Sequence, residues 1–302
     1  MMNHLATVLP AIGQRRLPVS RDQAMLLMAA VNEIALGLDA YLAHVLNSTI
    51  QTREWIPILF GPLAGVLLLI AGIISQRRRN LASTLATIVL LASIIVGLLG
   101  AYFHIIRGSL PYAPPGERLT VGLLVWAPPI LAPFSFALVG LLGISAAWIE
   151  KPMDSGTLSL PFGRYLHLPY SKTRAYFYMV SMGILIALIS SVLDHSRHPW
   201  DNPWLWLPFS AGIFGMVVSV GMAVLKRPSR TDLITYLGAM ILLILVGIIG
   251  TILHIDNDLT AHSAIIPERF LRGAPVMAPL LYANMGLLGI ISLLNPYEEM
   301  GQ

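Results

Sequence analysis

The chain contains no cysteine. Disulfides, thiolate metal sites and Cys-ligated iron–sulfur clusters are therefore excluded. Charge is also scarce: 11% of the 302 residues are Asp, Glu, Lys or Arg, while 56% are hydrophobic. A soluble domain carries about 25% charged residues. So few polar groups cannot cover a water-facing globule, and lipid is the expected solvent for most of the surface. There is no phosphate-binding loop, dinucleotide fingerprint, Ser/His/Asp set of usable spacing or nucleic-acid module. The net charge of +4 does not point to nucleic acid either, because the basic residues flank apolar runs, where they act as topology determinants.

Eight apolar runs are present, near 24–44, 55–75, 82–105, 121–148, 174–195, 204–225, 232–254 and 274–294. A membrane helix needs about 20 such residues. The expected class is all-α and integral to the membrane, with eight transmembrane helices. The first 23 residues are too polar for a signal peptide, since Arg15, Arg16 and Arg21 precede the first run with no separate apolar core, and they are expected to be retained. Thirteen Lys and Arg fall in the head, the 76–80 turn, the 150–174 loop and the 226–232 turn; Arg53, Arg107, Arg118, Arg197, Arg269 and Arg272 fall in the opposite loops. By the positive-inside rule both termini are cytoplasmic. A prokaryotic inner or plasma membrane is the expected location.

The chain is an internal duplication. "GLLGAYFH…ER…APPILAPF…GLLGI" (97–144) is echoed by "GIIGTILH…ER…APVMAPL…GLLGI" (247–290). His44 is followed eleven residues later by Trp55 and then Pro57; His195 is followed in the same way by Trp206 and Pro208. The reading is two tandem homologous four-helix bundles, 24–148 and 174–295. They are joined by a cytoplasmic linker at 149–173 and flanked by a cytoplasmic segment at 1–23 and a tail at 296–302. Parallel repeats of this kind occur in transporters and in other membrane folds.

Every odd run closes on a histidine: His44, His104, His195 and His254. Seven and four residues before each stand Gly37 and Ala40, Gly97 and Gly100, Leu188 and Ser191, Gly247 and Gly250. At about 100° per residue these share the histidine's face to within about 40°. Two readings compete. A histidine at a helix C-terminus is favoured by the dipole, and small residues let membrane helices approach closely. Alternatively, runs 1 and 3 of each half lie diagonally across an up-and-down bundle and bring His44 to His104 and His195 to His254. Such pairs suit the axial positions of haem iron. The small residues would then leave room for the macrocycle, and Arg107, Arg118, Arg197, Arg269 and Arg272 could meet its propionates. A bare metal site is a further candidate, with Asp194, His198, Asp201, Asp256, Asp258 and His262 near the pairs.

The layout of eight spans, two homologous four-helix halves and an outer-side His pair in each resembles the haem A synthase family. The helices with small residues and a histidine resemble those of membrane b-type cytochromes. The resemblance is one of plan. No Glu stands a few residues before any of the four histidines, and the synthases' outer Cys pair is absent. What it implies is two bis-histidine pockets for haem b, without the synthase chemistry.

Glu33 and Asp39 are the only acids inside a span. Glu33 stands eleven residues before His44, on the same face to within about 20° and about 16 Å deeper. Ionisable groups at such depth are costly and usually functional; Glu33 can relay protons or bind a transported cation. Its counterpart in the second half is Ile184. Asp39 is expected to bond at the start of the outer loop. Pro62, Pro133 and Pro279 are read as packing residues, and the recurring Glu117–Arg118 and Glu268–Arg269 pairs as local salt bridges carried along by the duplication, with loops folded over the His sites as the alternative. The expected function is a membrane subunit that binds haem b and transfers electrons, with quinone and other subunits of a redox complex as partners. The alternatives are a non-catalytic assembly subunit and a transporter that uses Glu33.

Overall fold

The computed structural model describes residues 4–10, 19–45, 49–75, 77–260 and 275–294. Helix follows the apolar runs: α1 (His4–Val8), α2 (Arg21–Val45), α3 (Trp55–Ile74), α4 (Arg79–Arg107), α5 (Val121–Trp126), α6 (Leu131–Ala147), α7 (Lys172–His195), α8 (Trp206–Val224), α9 (Arg230–Thr260) and α10 (Leu280–Ser292). Six segments are long and apolar enough to cross a membrane: α2, α4, α7, α9, and α3 and α8 with their short 3-10 lead-ins; α6 and α10 are shorter apolar helices. Side chains cap the starts of α2 and α9. Ser20 Oγ accepts from Gln23 N at 3.1 Å, and Ser229 and Asp232 bond each other's backbone N–H groups.

The packing inverts the pattern of a soluble bundle. On α3 the exposed residues include Leu59, Leu63, Val66, Ile70 and Ile73, whereas the buried face is Ile58, Gly61, Ala64, Gly65, Leu68, Ala71 and Gly72. Large apolar side chains point outward, as a lipid-facing helix requires, and small ones admit the neighbour. In the first half α2 packs along α3 and α6, and α4 along the same two, so α2 and α4 are diagonal. In the second half α7 and α9 are diagonal between α8 and α10. The halves meet through α6 on α7 and α10 on α2.

Three features depart from the sequence reading. The run at 121–148 is broken into α5 and α6, because Ala127 turns extended (ψ 167°) ahead of Pro128 and Pro129, which bring no N–H. The last helix starts at Leu280 with Pro279 as its N-cap, later than expected. Finally, the linker between the bundles folds into a three-stranded antiparallel sheet, β1 (Ile149–Glu150), β2 (Thr157–Ser159) and β3 (Tyr165–His167), with Glu150 opposite Leu158 and Thr157 opposite His167.

The sheet end of the molecule holds a buried polar clamp. Arg21 and Lys172 stand 23 residues before His44 and His195 respectively, and so occupy the same place in the two copies. Each reaches across to the residue after its counterpart. Arg21 Nη1 donates to Thr173 Oγ1 at 2.6 Å, and Lys172 Nζ donates to Asp22 Oδ2. Tyr176 OH donates to Asp22 Oδ1 at 3.0 Å, and the Arg21 guanidinium lies over the Tyr176 ring. The strand residue Glu150 receives Lys172 N at 2.9 Å. Arg21 and Lys172, which the sequence places among loop charges, are 1% and 0% exposed.

Candidate functional site

At the opposite end of the bundles the four histidines meet in two pairs. His44 and His104 have ring centroids 6.2 Å apart and planes at 62°; His195 and His254 are 6.4 Å apart at 84°. The diagonal placement of α2 and α4, and of α7 and α9, produces this. All four rings are half-buried.

The Nδ1 atoms are all occupied. His44 Nδ1 lies 2.7 Å from Ala40 O, His104 Nδ1 2.9 Å from Pro129 O, His254 Nδ1 2.9 Å from Pro275 O, and His195 Nδ1 3.3 Å from Ser191 Oγ. A carbonyl only accepts, so three of these rings carry a proton on Nδ1; in the neutral imidazole this leaves the lone pair on Nε2, the form in which the ring binds a metal. The prolines account for two of the contacts. Pro133 and Pro279 stand four residues after Pro129 and Pro275. With no N–H, they cannot extend their helices back onto those carbonyls. Pro275 O also accepts Ala278 N at 3.1 Å, which its second lone pair allows. Pro133→Ala supplies the missing donor and is expected to release His104 from its single tautomer, read by nitrogen NMR of the labelled imidazole. Loss of such an outer bond weakens metal affinity by about 10–100-fold.

The first pair opens into a pocket of about 310 Å³ lined by His44, His104, Arg53, Arg107, Phe103 and Phe136, among others. Arg107 Nη1 is 3.9 Å from Glu54 Oε1, and the Arg53 guanidinium lies over the Phe103 ring. Arg53 and Glu54 come from a 3-10 turn closed by Gln51 N donating to Glu54 Oε2 at 2.8 Å. The sequence reading passed over both, although "QTRE" ahead of the repeated Trp-x-Pro is a capping-box pattern. Asp39 lines this pocket too; the start of the outer loop at 46–48, its expected bonding place, lies outside the described residues. The second pair differs: Trp200 stands edge-on to His195 with centroids 6.5 Å apart, and Leu205 occupies the place of Glu54.

Other expectations change. Arg118 Nε donates to Ala113 O and Arg118 O accepts from Leu110 N, so the 108–120 loop closes on itself. Arg197 Nε donates to Val125 O at 2.8 Å and its guanidinium lies over the Trp126 ring, joining the second half to α5 of the first. Arg269, Arg272, Glu268 and His262 lie outside the described residues. The glycine strips are not gaps for a macrocycle. A Cβ at Gly100 would stand 2.6 Å from Pro133 Cβ, one at Gly250 2.8 Å from Pro279 Cβ, and one at Gly37 2.5 Å from Pro62 Cδ. The neighbouring helix fills each strip with a proline ring, in line with the packing role expected of Pro62, Pro133 and Pro279. A group held by His44 and His104 would occupy the pocket at the helix ends. Among the described residues no set of three or more His, Cys, Asp or Glu is placed to hold a metal ion. Asp194 instead faces Arg197 at 3.6 Å.

No family model matches the chain, and neither a curated protein nor a solved structure matches it.

Proposed function

We propose that the chain is an eight-span membrane protein with cytoplasmic termini that binds haem b between His44 and His104, and between His195 and His254, and serves as an electron-transfer subunit. The observation that carries this is the pairing itself: two imidazoles about 6 Å apart, tied through Nδ1 and presenting Nε2. A metal–imidazole bond is about 2 Å long, and a ring nitrogen lies about 1 Å from the ring centre, so two axial imidazoles on one iron have centroids about 6 Å apart. A protein-only zinc site takes three or four protein ligands, whereas haem iron takes its other four from the macrocycle. Bound haem supplies a one-electron couple; quinone and other membrane subunits are the natural exchange partners. In the first half Arg53 and Arg107 stand where anionic propionates would be met by charge-assisted bonds.

The test is a visible spectrum of protein purified in mild detergent and then titrated with haemin. The expected result is a Soret band of bis-histidine low-spin type. It should fall by about half in His104→Ala and in His254→Ala, and vanish in the double variant, since each pair is one site. A folded protein that gains no such band on titration overturns the reading.

A further inference from the structure

Beneath the first pocket lies a polar pair that no haem or quinone role uses. Glu33 on α2 and Ser93 on α4 each stand eleven residues before their histidine, so they face each other at one depth across the bundle. Both are 0% exposed. Ser93 Oγ lies 2.5 Å from Glu33 Oε1 and 2.8 Å from the Phe136 carbonyl of α6. Glu33 Oε2 has no hydrogen-bond partner. The second bundle has Ile184 and Leu243 at the corresponding places, both fully buried.

Proton counting determines the state of this pair. A serine hydroxyl has one proton, and a backbone carbonyl can only accept. If Glu33 were a carboxylate, Ser93 would face two acceptors with one proton, and one close oxygen–oxygen contact would be left bare. If Glu33 is the neutral acid, its O–H donates to Ser93 Oγ and the Ser93 O–H donates to Phe136 O, so that both contacts are filled. Charge gives the same answer. The helices packed on α2 in this bundle bring nothing to neutralise a carboxylate: α3 and α6 carry no titratable side chain, and α4 carries none between Asn80 and Ala101. On α10, which also touches α2, the one titratable residue is Tyr282, and it stands against Gly212 of the second bundle. On α2 itself, Asp39 and His44 lie further up at the pocket and Tyr41 between them in sequence, while Arg21 and Asp22 are eleven or more residues away at the other end, paired in the clamp. An unpaired carboxylate in such a place is costly.

We infer that Glu33 is a proton-binding site of the first bundle, carried as the neutral acid and exchanging its proton with the pocket under His44 and His104. Leu36, Val96 and Phe136 line that pocket, and Leu36 and Val96 are one helical turn from Glu33 and Ser93. The carboxyl therefore belongs to the helical turn next below residues that line the pocket. On release the Glu33 O–H bond breaks and the proton passes to water in the pocket. The Ser93 O–H then swings from Phe136 O to the carboxylate, so each state keeps one donated bond on Glu33 Oε1. The duplication makes the second bundle an internal control with an apolar pair. The inference stands on these hydrogen bonds and is independent of whether the histidines carry haem.

Infrared spectroscopy of the full chain in lipid nanodiscs tests it. At about pH 8, where an ordinary glutamate is ionised, a protonated-carboxyl C=O band is expected. It should shift within minutes of transfer to D2O, disappear in Glu33→Gln, and move towards the free-acid position in Ser93→Ala. Carboxyl-13C glutamate labelling assigns the band to a glutamate without a substitution, should Glu33→Gln fail to fold. Absence of the band shows that Glu33 is ionised, and a band that ignores D2O shows a static acid; either result overturns the proposal.

Discussion

Asp22→Ala is expected to cost about 3–5 kcal/mol, the scale found when one partner of a buried ion pair is removed. Asp22 receives Lys172 Nζ and Tyr176 OH and has the Arg21 guanidinium beside it. Its loss leaves two buried cations without the carboxylate that both of them face at the interface between the bundles. Thermal unfolding in detergent, with wild type as reference, gives the number. The triple variant Arg21→Met/Asp22→Leu/Lys172→Met removes all three charges and is expected to recover most of the loss, because well-packed apolar residues often replace a buried ionic triad at no net cost. If Asp22→Ala melts within about 0.5 kcal/mol of wild type, the clamp is a surface-like pair and the bundles are held by apolar packing alone. Duplication explains the design: Arg21 and Lys172 are the same residue position twice, so the contact is reciprocal about a pseudo-two-fold axis.

That clamp was not legible in the sequence. Arg21 and Lys172 flank apolar runs as topology-determining residues do, and the positive-inside count treats every such residue as solvated. Only the approach of the two copies buries them. The diagonal helices and the histidine pairing were legible, because they follow from period, direction and duplication. The glycine strips were legible as strips but not as contacts: a small residue beside a histidine looks the same whether a proline ring, a lipid or a cofactor fills the space. The Nδ1 partners were hidden for a related reason. "APPILAP" and "APVMAP" show prolines at helix starts, and which carbonyl each leaves accessible appears only when the imidazole is set beside it. Ser93 carries no signal of its own; its register with Glu33 emerges once both are counted back from their histidines.

The two copies also allow one substitution to be read against itself. Gly61 and Gly212 stand at matching positions, 151 residues apart. A Cβ at Gly61 would lie 2.5 Å from Glu33 O, 2.7 Å from Gly37 Cα and 2.8 Å from Gly37 N, all of them backbone atoms. No rotamer relieves these contacts, so α2 and α3 must separate. At Gly212 the nearest atoms are Leu188 Cδ1 at 3.1 Å and Tyr282 Cε1 at 3.2 Å, both on side chains that can yield. Gly61→Ala is therefore expected to lose about 1–3 kcal/mol, the cost of overpacking. Gly212→Ala should be near neutral, because a helix-interior Gly→Ala change gains up to about 1 kcal/mol in propensity. The separation would carry functional consequences as well. α2 holds both Glu33 and His44, so Gly61→Ala should weaken the carboxyl–Ser93 bond and spread the His44–His104 pair. The infrared band should shift and the haem titration should weaken in that half only. Equal effects of the two alanines would show that the α2–α3 crossing does not set the geometry of the first site.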